Sequence, residues 1–87
     1  MSLVAKKSKP DFRAVEVKVT ADQLCVTLED GREIRTPLEF YPKLARASKK
    51  VRENFRIMAQ GIGIEWPDLD DHLSVEGIVL GKKAVDW

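Results

Sequence analysis

Between residues 15 and 36 the sequence alternates apolar and polar side chains with a period of two, and no other stretch restricts the fold as tightly. Val15, Val17 and Val19 alternate with Glu16, Lys18 and Thr20, and Leu24, Val26 and Leu28 alternate with Cys25, Thr27 and Glu29. Successive side chains of a strand point to opposite faces, so each run predicts a half-buried strand, and Asp22 in the connection joins the two as an antiparallel hairpin. The next turn, Glu29-Asp30-Gly31, admits two registers. A two-residue Asp-Gly loop would set Leu28 against Glu33 and Val26 against Arg35, mixing core with solvent on one face. A three-residue loop with Gly31 left-handed instead sets Val26 opposite Ile34 and Leu24 opposite Thr36, and this bulged hairpin is the one expected. Pro37 ends the third strand.

Pro42 suits a first helical turn, where its missing amide hydrogen is no loss. Leu44, Ala47, Val51, Phe55 and Met58 follow at helical spacing and fall within roughly 80° of arc. The spacing predicts an amphipathic helix from Pro42 through Met58, with Ser48 placed to cap a second helix and bend the first. Its other faces carry Lys43, Arg46, Lys49, Lys50, Arg52 and Arg56 against Glu53. Further on, Ile62, Ile64 and Trp66 alternate with Gly61, Gly63 and Glu65, which suggests a short fourth strand stopped by Pro67. Asp68, Asp70 and Asp71 then make an acidic loop. Ser74 caps a short final helix, Leu73 is positioned to staple against Ile78, and Gly81 falls just past the end. The expected fold class is α+β: an antiparallel meander of three strands, with a short fourth, packed against an amphipathic helix and followed by a short C-terminal helix.

Eighty-seven residues with a hydrophobic fraction of 44% fit one domain with one modest core. Its ordered part is expected at about 12–81, with flexible termini and a mobile tail from Lys82 to Trp87. A single cysteine, Cys25, cannot form an intramolecular disulfide, and small domains of oxidising compartments are usually rich in bridges, so a cytoplasmic location is expected. No apolar run is long enough to cross a bilayer, and Met1 to Pro10 has no apolar stretch of the secretory kind. A net charge of +1 argues against a dedicated DNA-binding domain.

The basic helix has two functional readings and one plain one. Its cations can contact an acidic protein partner, or phosphates of nucleic acid, or simply face water. Segment 57–81 holds Glu65, Asp68, Asp70, Asp71 and Glu76 with no Lys or Arg, so the helix can also be balanced within the chain. Asp68-Leu69-Asp70-Asp71-His72 resembles a metal loop in composition, but an EF-hand would need Gly and Glu where Leu73 and Val79 stand. No metal or cofactor is expected. Cys25 falls on the face opposite Leu24 and Val26, where partial exposure is expected, but it has no second Cys or neighbouring His to activate it. His72 reads as a solvated or hydrogen-bonded group. Gly61-Ile62-Gly63 lacks the third glycine of a dinucleotide fingerprint and reads as a tight bend. Trp66 is either core or an aromatic anchor at a recognition edge.

One run of short motifs is familiar as a set. It comprises Glu29-Asp30-Gly31-Arg32, Thr36-Pro37-Leu38, Tyr41-Pro42-Lys43-Leu44-Ala45 with Ala47, Arg52-Glu53-Asn54-Phe55, Gly61-Ile62-Gly63-Ile64-Glu65-Trp66-Pro67, Leu69-Asp70 and Leu73-Ser74-Val75-Glu76-Gly77. Together these resemble the bacterial domain-of-unknown-function family 2442 over about residues 14–81. Lys49 departs from the pattern, standing where relatives carry Pro after the Ser or Thr. The resemblance implies a small α+β domain without established activity, often encoded beside another short protein in a toxin-antitoxin-like arrangement. Some relatives append a helix-turn-helix domain, which this chain does not show. The function expected is therefore a non-enzymatic protein-binding or regulatory module, antitoxin-like in a two-gene pair, contacting its partner through Arg46, Lys50, Arg52, Arg56 and Trp66. The alternative is a nucleic-acid-associated transcriptional regulator using the basic helix. An enzyme using Asp70, Asp71 or His72 in an unrecognised site is the third class weighed.

Overall fold

A computed structural model describes residues 12–84; the expected flexibility of the outermost residues lies outside that range. The chain is α+β. Strands β1 (Ala14–Val19), β2 (Gln23–Leu28) and β3 (Glu33–Pro37) form an antiparallel meander. Its register is the one the alternation dictates, with Val26 opposite Ile34 and Leu24 opposite Thr36. The Gly31 amide donates to the Leu28 carbonyl, and the Leu28 amide to Arg32, closing a three-residue bulged loop in which Gly31 takes φ +95°. Only a residue without Cβ adopts that angle without strain.

Two details of this sheet differ from expectation. Pairing runs Ala14↔Leu28 and then Glu16↔Thr27, so Val15 is an extra residue in a bulge. The bulge turns Val15 out to 57% exposure and lets Ala14, at 5%, take its inward position, as an inserted residue shifts the alternation by one. Cys25 is buried, not partly exposed. It sits between Lys18 and Arg35 in register, on the central strand of the sheet, where long cross-strand neighbours on both sides limit access to a small side chain.

The long helix expected from Pro42 to Met58 does not form. The chain makes α1 (Pro42–Ala45), breaks, and makes α2 (Lys49–Glu53). Ser48 accounts for the break: its Oγ accepts the Val51 amide at 3.2 Å, a cap that competes with continuation of the preceding helix. Asn54 (φ −95°, ψ 78°) ends α2, and the next residues become strand β4 (Arg56–Met58). Of the five periodic residues only Leu44 is fully buried; Ala47, Val51, Phe55 and Met58 are half-buried.

Strand β4 belongs to a second antiparallel meander with β5 (Gly63–Trp66) and β6 (Asp71–Ser74). The expected acidic loop is shared between a short 3₁₀ turn (Pro67–Leu69), Asp70 in the left-handed region, and the first residue of β6. Helix α3 (Val75–Val79) follows directly. Ser74 Oγ accepts the Gly77 amide at 2.8 Å at its start, and at its end Gly81 and Lys82 donate to the carbonyls of Ile78 and Gly77, the paired closure of a Schellman motif. The tail expected to be mobile is docked as far as it is described: the Ala84 amide donates to Phe40 at 3.0 Å, and Lys83 Nζ lies 4.9 Å from the Phe40 ring centre.

Both sheets and the helices share one core. Leu24, Val26, Tyr41, Leu44, Ile64, Trp66 and Val75 are its largest fully buried side chains. The sheets meet closely where Gly61, at φ +101°, ends the β4–β5 connection: a Cβ there would lie 2.8 Å from the Ala14 carbonyl oxygen of β1.

Candidate functional site

The structure scatters the six cations that a single helix would have gathered on its surface. Lys43 Nζ pairs with Asp71 at 3.1 Å, and Arg56, now on β4, meets its cross-strand neighbour Glu65 at 2.7 Å. Lys49 stands 4.0 Å from Glu53 one turn along α2. The side chains of Arg46 and Lys50 are exposed and make no hydrogen bond or ion pair among the described residues.

Arg52 is half-buried and works as a clamp. Its Nε donates to the Leu44 carbonyl at 3.2 Å and its Nη2 to the Ala45 carbonyl at 2.8 Å. The same guanidinium reaches the β1–β2 turn, with Nη1 at 3.5 Å from Thr20 O and 3.4 Å from Ala21 O. A cation at the carbonyl end of a helix is favourable, and the planar fork suits several acceptors at once. One side chain thus fixes α1, α2 and the first hairpin to one another.

Trp66 does not reach the surface. It is 0% exposed, its indole N–H donates to the Arg52 carbonyl at 3.0 Å, and its ring lies 6.3 Å from that of Phe55. Its place among the partner-contacting residues is therefore corrected: the indole is core, and the end of an alternating strand aims it inward. The sequence-predicted set of Arg46, Lys50, Arg52, Arg56 and Trp66 divides into two free cations, one clamp, one cross-strand ion pair and one core residue.

The acidic candidates are engaged locally. Asp71 Oδ1 accepts the His72 amide at 2.9 Å and its Oδ2 meets Lys43. Burial pushes the Asp71 carboxyl up, but the His72 amide and the Lys43 ammonium outweigh it and hold the group below its ordinary value. Asp68 Oδ2 accepts from the Asn54 side-chain Nδ2 at 3.0 Å. His72 is exposed, opposite Glu65. Among the described residues no three His, Cys, Asp or Glu side chains are grouped to hold a metal ion, and no helix is long and apolar enough to cross a membrane.

Concave surface is concentrated at the Ala21 end of the first sheet. A cavity of about 360 Å³ is lined by Val19, Thr20, Ala21, Lys49 and Arg52. A second, of about 440 Å³, opens on the other side of Ala21, with Asp22, Gln23, Pro37, Glu39 and Ala45 in its walls.

Residues 14–84 match the family described as protein of unknown function DUF2442. The chain belongs to this family. Its fold is similar to that in the crystal structure of a protein of unknown function from Rhodospirillum rubrum ATCC 11170, with a TM-score of 0.76, 27% identity, and 86% of this chain and 93% of that one covered. The sequence has no significant match among curated proteins. Arg46, Lys50 and both cavities lie within the part matched to DUF2442.

Thr20, Ala21 and Lys49 were not singled out in the sequence as site residues. Thr20-Ala21-Asp22-Gln23 does carry a weak signal, since a polar turn at the end of an apolar hairpin is where concave, functional surface tends to collect.

Proposed function

We propose that this DUF2442 chain is a non-enzymatic module that binds a protein partner in the cytoplasm, through the corner between α1 and α2. The observation that carries the reading is the state of the cations there. Lys43 and Arg56 are paired within the chain, whereas the Arg46 and Lys50 side chains are exposed without an ionic partner among the described residues, each next in the chain to a residue that lines a cavity, Ala45 and Lys49. Exposed cations next to a cleft suit an acidic partner surface, speeding encounter and fixing orientation. The antitoxin-like role in a two-gene pair is part of this proposal, with the neighbouring gene's product as partner. Nucleic acid is the weaker reading, because six scattered cations with three of them tied to carboxylates offer few charges to phosphates.

Co-expression of the tagged chain with the product of its neighbouring gene tests this. The two should purify together, and the double variant Arg46→Glu/Lys50→Glu should lose the partner while keeping the wild-type thermal midpoint. Failure of the wild type to retain the neighbour, or full retention by the double variant, would overturn the reading.

A further inference from the structure

The two cavities that adjoin at Ala21 differ in charge. In the smaller one Arg52 has no carboxylate partner among the described residues; its four hydrogen bonds all run to backbone carbonyls. Carbonyl oxygens occupy donor hydrogens but leave the full positive charge in place, and one Nη2 hydrogen is left over. Lys49, on the same wall, is 87% exposed and holds Glu53 only at 4.0 Å. The remaining lining is Val19, Thr20 and Ala21, which adds no charge of its own, and a concave wall screens the two cations less than open surface does. Beyond Ala21 the sign reverses, for Asp22 and Glu39 stand in the larger cavity.

This pattern selects a ligand. The leftover Arg52 donor and the Lys49 ammonium suit a singly charged carboxylate. With the other guanidinium hydrogens taken up by backbone carbonyls, these two donors are too few for the charge and the several acceptor oxygens of a phosphate dianion. A volume of about 360 Å³ lies near the lower end of ligand sites and suits one acidic side chain with its adjoining backbone. The carboxylates across Ala21 would repel a second acid and attract a base. We propose that the cavity between the β1–β2 turn and α2 seats one carboxylate of an extended segment of the partner, with Arg52 and Lys49 as its cationic contacts and Asp22 and Glu39 favouring a basic residue beside it. The proposal rests on the protein-binding reading above and names the chemistry of that partner.

The test is a titration of the ¹⁵N-labelled full chain with the peptides acetyl-Glu-Ala-Lys-amide and acetyl-Glu-Ala-Glu-amide and with inorganic phosphate. The first peptide should give saturable amide shifts confined to residues 19–23, 38–39 and 49–52, and the second should bind about threefold more weakly. Phosphate should not saturate. Ala21→Leu, which fills the recess, should abolish the shifts, Lys49→Ala should weaken binding about threefold, and Arg35→Ala, which removes equal charge elsewhere, should leave it unchanged. Shifts spread over the whole surface, equal binding of phosphate, or wild-type binding by Ala21→Leu would overturn the proposal. If no peptide binds while the neighbour still co-purifies in an Arg46- and Lys50-dependent way, the carboxylate site fails and the protein-binding reading stands.

Discussion

Replacing Arg52 with alanine should destabilise the fold more than any other single charge removal in segment 43–56. Its two shorter bonds, at 2.8 Å to Ala45 O and 3.2 Å to Leu44 O, involve a charged donor and are each worth about 1.5 kcal/mol in a partly exposed setting. The contacts to Thr20 and Ala21, at 3.5 and 3.4 Å, are at the limit of hydrogen-bond geometry and add little. The expected loss is therefore about 2–3 kcal/mol, a large fraction of what a domain of this size has. In urea, with a slope near 1 kcal/mol/M for a small domain, the midpoint should fall by about 2–3 M. Arg52→Lys should recover only part of this, because an ammonium on a flexible stem cannot span the same acceptors. Arg46→Ala and Lys50→Ala should stay within about 0.5 kcal/mol of wild type. An Arg52→Ala midpoint equal to that of Lys50→Ala would refute the clamp and return Arg52 to the solvated surface.

Phe55→Ala should cost about 1–2 kcal/mol, since the ring is half-buried and contributes mainly its contact with Trp66, whereas Trp66→Ala should cost about 3–5 kcal/mol and leave little folded protein by circular dichroism. Gly61→Ala places a Cβ 2.8 Å from a backbone oxygen at φ +101°, so chemical denaturation should register a loss of about 2 kcal/mol or more, and a neutral result would contradict the close contact of the sheets. Asp71 titrates below its ordinary value of 3.8 in the folded chain, so its stabilisation is present above that pH and is lost as pH falls through the folded value. Urea midpoints at about pH 5 and about pH 2.5 should accordingly fall further for wild type than for Asp71→Asn. Duplex DNA should bind no tighter than about 10⁻⁴ to 10⁻⁶ M at physiological salt, with a log–log salt slope near −2 if Arg46 and Lys50 are the contacts; a steep slope with tight binding would favour a regulator on nucleic acid.

The first meander was legible because two independent constraints agreed: alternation set the faces of β1–β3, and the turn chemistry of Gly31 set the register. Val15 was misplaced because a bulge leaves no mark in an alternating pattern, and Ala14 is too small to announce itself as core. The second sheet was hidden for a different reason. A three-residue strand such as Arg56–Met58 is shorter than the window any period needs, so Phe55 and Met58 passed for continued helix. In β6 Leu73 is the one apolar residue among Asp71, His72 and Ser74, so no alternation marks the strand. Of the candidate site, the exposure of Arg46 and Lys50 could be read directly. The role of Arg52 could not, since its acceptors are backbone carbonyls up to 32 residues away, and carbonyls carry no sequence signal.

Helices α1 and α2 are only four and five residues long, far below the length at which an isolated helix persists in water. They hold their shape because the Arg52 guanidinium ties α2 to the carbonyl end of α1 and the Trp66 indole of the second sheet bonds to the Arg52 carbonyl. A cut between β4 and β5 would leave α1 and α2 on one fragment and Trp66 on the other, so once the two pieces separate neither would display the Arg46 and Lys50 corner.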